Sequence, residues 1–118
     1  MLEEFTQVSQ LRVVFGDCDM LRHVNNAAYI RWAETERANY FADVLNGEMT
    51  GSMGMILLRT EFMYERQIEY RERIAIGCRV SRIGTKSLVF TNEIWSTDHG
   101  HRSARGEFCL LYTSDAAD

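Results

Sequence analysis

Only one part of this chain carries helical periodicity, and that limits what it can fold into. From Asn25 or Asn26 to about residue 45 the apolar residues Ile30, Ala33, Tyr40, Phe41, Val44 and Leu45 recur three or four positions apart, as one face of a helix requires. Asn is a favoured N-cap, and Asn46 followed by Gly47 supplies a stop. Before the helix, Leu11, Val13 and Phe15 alternate with Arg12, Val14 and Gly16, so a first strand is expected to run up to Asp17. After it, beyond a Gly- and Met-rich connection at 48–54, extended runs are expected at 55–64, 74–83, 86–96 and 102–111. The last of these is entered through a hairpin turn, Asp98-His99-Gly100-His101. One long helix with antiparallel strands is an α+β architecture whose sheet has to cover the helix.

At 118 residues, 46% hydrophobic and 25% charged, the chain suffices for one core but not for two. The longest uncharged apolar run is far shorter than a bilayer requires, so no membrane partner is expected. The N-terminus, MLEEFTQVSQ, is acidic and has no apolar leader, which points to a cytoplasmic location. A net charge of −4 without a basic run argues against nucleic acid. Cys18, Cys78 and Cys109 are odd in number and lack CxxC spacing, as suits a reducing compartment.

Chemistry concentrates where the first strand gives way to the helix, in FGDCDMLRHVNNAAYIRWAETER, residues 15–37. An acid, an imidazole and two amides meet at a helix N-terminus, where unpaired N–H groups and the helix dipole favour negative charge. A developing oxyanion could be held there, beside Asp19 and His23. The pattern D-x-D-x-x-x-H-V-N-N-x-x-Y resembles the acyl-CoA thioesterases of the hotdog fold, the branch that includes 4-hydroxybenzoyl-CoA and long-chain acyl-CoA thioesterases. It is carried by Asp17, Asp19, His23, Val24, Asn25, Asn26 and Tyr29, with Glu34 and Arg37 further along the helix. Looser similarity extends through Tyr64 and the VSRIGTKS turn at 80–87 to Gly106.

The resemblance implies a curved five-stranded antiparallel sheet wrapped around the central helix. It also implies pairing into a homodimer or dimer of dimers, with active sites at the subunit interface. The implied reaction is hydrolysis of an acyl thioester of coenzyme A or acyl carrier protein. No cofactor is needed, since coenzyme A is part of the substrate. Asp19 corresponds to the acid that acts as base or nucleophile, and an ordinary Asp is already ionised for either role. His23 could orient the acid, hold water or polarise the carbonyl, or serve as a hydrogen-bonding strut. Asn26 is a candidate contact for water or substrate, while Asn25 can cap the helix. Plant acyl-carrier-protein thioesterases, which this block also resembles, place an Asn two residues after the acid, where this chain has Leu21.

Asp17 is expected to support the loop, and Arg37 to pair internally with a carboxylate such as Glu34. Tyr29 and Trp32 suit core packing or an acyl-pocket wall. Arg82 and Lys86, near a turn, could reach coenzyme A phosphates or simply be solvated. Asp17, Cys18, Asp19 and His23 together lack a metal-site spacing. Cys18 lies between two carboxylates that disfavour its thiolate. A non-catalytic ligand-binding hotdog protein and a hotdog hydratase or dehydratase are the alternatives in function. The final CLLYTSDAAD resembles a translated sequencing-library adapter. Residues 1–108 are therefore expected to form the hotdog domain, cut short at its C-terminus, and 109–118 a non-native tail; the other reading is an ordinary last strand at 107–113.

Overall fold

The computed structural model describes residues 2–44 and 53–114. Its elements are β1 (Gln7–Arg12), α1 (Asn26–Asp43), β2 (Met53–Tyr64), β3 (Arg73–Ile83), β4 (Ser87–Ser96) and β5 (His101–Ser114), with a 3-10 turn at Phe15–Asp17. The strands form one antiparallel sheet in the order β1-β3-β4-β5-β2. Register shifts at Leu57/Arg59, Val80/Arg82 and Ile94/Trp95 insert extra residues that bend their strands, so the sheet curves around α1. This is the α+β hotdog architecture.

The helix rests mainly on β3, β1 and β4. Its first half packs Ala28, Tyr29 and Trp32 against Val13, Val24, Ile68, Ile74, Ile76, Ile94 and Ala104. Its second half packs Ala33 and Tyr40 against Cys78, Leu88, Phe90, Phe108 and Leu110. Ile30 and Phe41 lie half-buried against this second cluster, whereas Val44, expected on the same face, is exposed. Leu45, Asn46 and Gly47 lie outside the described residues.

The first strand is not where alternation places it. β1 lies upstream, and the chain leaves the sheet at Val13, which is 1% exposed, so that Phe15 is 79% exposed. A carboxylate imposes the break: Asp17 Oδ2 accepts from the Val14 amide at 3.0 Å and closes the 3-10 turn. β1 turns Gln7, Ser9 and Leu11 partly inward. Ser9 donates to Glu36 Oε1 at 2.7 Å, so a buried helix carboxylate finds its partner on the strand.

His101, read as part of the turn, opens β5, and Gly100 takes the positive φ (+70°) of that turn. β5 crosses from Phe108 to Cys109 without interruption, and Leu110 is buried in the second cluster. No helix among the described residues is long and apolar enough to cross a membrane.

Candidate active site

The segment between the 3-10 turn and α1 folds back on itself as a small hairpin. Cys18 and Val24 form an antiparallel bridge, the Asn25 amide donates to the Asp17 carbonyl at 2.8 Å, and the Asp19 amide donates to the His23 carbonyl at 3.1 Å. Within that hairpin Arg22 donates its amide to the Asp19 carbonyl at 3.0 Å and takes a φ of +70°, a left-handed position unusual for a residue with a Cβ. Asp19 Oδ1 accepts from the Leu21 amide at 2.9 Å, an Asx turn that fixes the carboxylate at the tip. Its Oδ2 has no hydrogen-bond partner among the described residues, and the residue is exposed. The hairpin is tied to the sheet side by Val24 N–H donating to the Ile68 carbonyl at 2.8 Å and by a bridge between His23 and Glu69.

Asp17 secures the base. Its Oδ1 pairs with Arg31 on α1 while Oδ2 closes the turn, so one buried carboxylate joins loop and helix. Asn25 caps α1: its Oδ1 accepts from Ala27 N at 2.8 Å and its carbonyl from Ala28 N at 2.9 Å. The amide of Asn26 is left without an acceptor among the described residues.

These groups open onto a cleft of about 370 Å³ lined by Asp19, Leu21, His23, Val24, Asn25, Asn26 and Tyr29. Tyr64, Glu65, Arg66 and Gln67, at and after the end of β2, complete the lining. Tyr29 is buried yet contributes to the wall, and burial pushes its phenol up to about 12. Glu65 is held below the usual carboxylate range, chiefly by its hydrogen bond from Arg102, with Arg105 adding a second cation. Arg66, exposed, also lines the cleft, and its side chain makes no hydrogen bond or ion pair with the described residues.

Several candidates lie elsewhere. Trp32 is a core residue beside Tyr29, with ring centroids 5.5 Å apart, and does not line the cleft. Arg82 and Lys86 are exposed at the β3–β4 hairpin, which adjoins the Leu88 cluster under the far half of α1, so one chain does not bring them to the cleft. Glu34 is exposed, and Arg37 makes no ion pair with it within 4 Å. Instead its guanidinium lies 4.6 Å over the Phe108 ring, and burial lowers its pKa. Burial first, then the Asp17 and Asp19 carboxylates, push the Cys18 thiol up and away from a nucleophilic thiolate. Among the described residues no cluster of three or more His, Cys, Asp or Glu side chains is arranged to hold a metal ion.

Sequence reasoning assigned no role in the site to residues 64–67. Tyr64 closes β2, and Glu65 and Arg66 both donate their amides to the Ser103 carbonyl, at 2.8 and 3.0 Å. Their position is therefore set by β2–β5 register, which no local pattern reports.

A curved antiparallel sheet around one helix defines a hotdog fold, and here an acid and an imidazole line a cleft at the helix start. The chain belongs to the Thioesterase-like superfamily, whose family model matches residues 13–116. Among solved structures it is similar to a thioesterase-superfamily protein from Jannaschia sp. CCS1 and to the PA2801 protein from Pseudomonas aeruginosa. For the Jannaschia protein the TM-score is 0.85 at 25% identity, covering 98% of this chain and 74% of that one. For the PA2801 protein of Pseudomonas aeruginosa it is 0.84 at 22% identity, covering 98% and 89%. Slr0204, a 1,4-dihydroxy-2-naphthoyl-CoA thioesterase from Synechocystis, aligns with a TM-score of 0.79 at 11% identity, covering 92% and 82%. No curated protein matches the chain.

Proposed function

We propose that this protein hydrolyses an acyl thioester of coenzyme A or of an acyl carrier protein, with Asp19 as the reacting acid. The observation that carries this reading is that Asp19 lines one cleft with His23 and Asn26, its Oδ1 occupied by the Leu21 amide and its Oδ2 without a hydrogen-bond partner among the described residues. An ionised Asp19 takes a proton from water as that water attacks the thioester carbonyl carbon, or attacks the carbon itself. The carbonyl oxygen gains negative charge, which on this reading the unengaged backbone amide of Asn26 at the helix N-terminus and the His23 ring stabilise; their common place in the cleft supports it. Collapse of the tetrahedral intermediate breaks the carbon–sulfur bond and releases the thiolate, leaving the free carboxylic acid on the base route and an acyl–Asp19 anhydride on the nucleophilic one. On the nucleophilic route, water then hydrolyses the acyl–Asp19 anhydride.

The same reading includes a homodimer, assembled in pairs or further. β2 is a long sheet edge on which Ile56, Leu57, Leu58 and Met63 are exposed, and an open edge of this kind favours pairing with another chain. A partner is also the means by which Arg82 and Lys86 would come near a cleft that their own chain does not bring them to. Offering the purified protein a panel of acyl-CoA and acyl-carrier-protein thioesters, and following free thiol, tests the proposal. Thiol release supports it. Alkene formation from a hydroxyacyl thioester with no thiol released would instead indicate a dehydratase, and binding without turnover a ligand-binding protein.

A further inference from the structure

The cleft has one aromatic wall whose position depends on a contact between the edge strand and the helix start. Tyr64, the last residue of β2, donates its hydroxyl to the Asn26 carbonyl at 3.3 Å. Its ring stands edge-on to Tyr29, with centroids 5.0 Å apart and planes at 78°, and stacks on Phe62 at 6.0 Å and 27°. Phe62 in turn meets Phe108 edge-on at 5.8 Å. An aromatic row thus runs from the cleft into the core, and Tyr64 is its half-open outer member.

The row has little room to retreat. Phe62 presses on Gly106 so closely that a Cβ there would lie 2.6 Å from the ring and 2.8 Å from the Glu61 carbonyl. On the other flank Tyr29 is buried. Beyond Tyr64, the backbone is clamped by the paired donations of Glu65 and Arg66 to Ser103, and Glu65 is gripped by Arg102 at 2.7 and 3.0 Å. A group entering the cleft therefore meets a backed ring.

We infer that Tyr64 is a specificity-determining residue that closes the acyl end of the cleft and limits the length of acyl group accepted. The inference rests on the thioester reading above and adds to it a residue and a direction. An acyl group whose carbonyl lies near Asp19 and Asn26 is brought against Tyr29 and Tyr64, because both line the same cleft as the acid, their rings touch, and the Tyr64 hydroxyl reaches the Asn26 carbonyl. Removing the Tyr64 ring opens space as far as Phe62, whereas removing only its hydroxyl leaves the wall in place.

The test compares Tyr64→Ala and Tyr64→Phe with the parent on a series of straight-chain acyl-CoA thioesters, with kcat and KM measured separately. In Tyr64→Ala the ratio of kcat/KM for long over short chains should rise by about tenfold or more, within the range expected when a few methylenes gain or lose a wall. Tyr64→Phe should keep the parent ratio within about threefold. Non-hydrolysable thioether analogues of a short and a long acyl-CoA, measured by calorimetry, supply a second readout independent of turnover, and their Kd ratio should shift in the same direction in Tyr64→Ala alone. An equal fall on every substrate, with an unchanged Kd ratio, would show a merely structural residue and overturn the inference. A Tyr64→Phe shift as large as that of Tyr64→Ala would overturn it in favour of the tether. If the parent releases no thiol, the thioester reading fails while the analogue Kd ratio still decides Tyr64; failure of every analogue to bind would overturn both.

Discussion

The amide of Asp19 donates to the carbonyl of His23 at 3.1 Å, so the two candidate reacting residues are joined through backbone rather than through their side chains. Either side chain can therefore be changed without removing the hydrogen bond that closes the hairpin. Loop geometry and chemistry are separable here, which allows mutants to be read as chemistry.

His23→Ala keeps that backbone bond and its bridge to Glu69. If the imidazole stabilises charge that develops only in the transition state, kcat should fall by a factor on the order of ten to a hundred while KM changes little. Steady-state kinetics on one good thioester, with a melting curve of the same sample, check this. Normal kcat per folded molecule with a lower Tm would make His23 a strut.

Charge placed on the open edge of β2 should separate the subunits. Ile56 and Leu58 are 51% and 56% exposed in the single chain, so Ile56→Asp with Leu58→Asp costs little core packing. Sedimentation should show a dimer or larger for the parent and a monomer for the double variant. Activity should fall with dissociation if a partner completes the site. A parent that sediments as a monomer would contradict the dimer.

Stability should decline in alkali. Burial holds the Tyr29 phenol and the Cys78 thiol protonated, each up to about 12, against ordinary values near 10 and 9. Because both folded values are raised, their contribution is complete below the unfolded values and is lost as pH rises from about 9 through about 12. Tyr29→Phe removes one of these two titrations. The loss of unfolding free energy between pH 8 and pH 11.5, measured in urea, should be smaller in Tyr29→Phe by roughly 1–2 kcal/mol. An equal loss in both proteins would show that the phenol is not held protonated by the fold.

How far the fold can be read from sequence depends on how local each determinant is. The helix start at Asn25 and the alternation of Leu88, Phe90 and Ile94 in β4 are local signals, and both appear in the structure. β1 was displaced because its inward position holds Ser9, polar by sequence yet matched to the buried Glu36, while the apolar Phe15 is turned out by the Asp17 cap. The contact of Arg37 with Phe108 escaped, because a guanidinium over an aromatic ring leaves no charge pattern on its helix. Within the cleft, Asp19 through Tyr29 are neighbours in sequence and legible as a motif. Tyr64 through Gln67 reach it only through strand register, so although Tyr64 shares in the looser resemblance, no local pattern assigns them to the cleft.

The central claim is that Asp19 performs thioester hydrolysis, and Asp19→Asn tests it most directly. The substitution retains an Oδ1 to accept the Leu21 amide, so the Asx turn survives while the charged oxygen is lost. Free thiol release by the parent and the variant, measured on the same acyl-CoA thioester with matched melting temperatures, should differ by a factor on the order of a hundred or more. A folded Asp19→Asn protein that releases thiol within a few-fold of the parent would contradict the account.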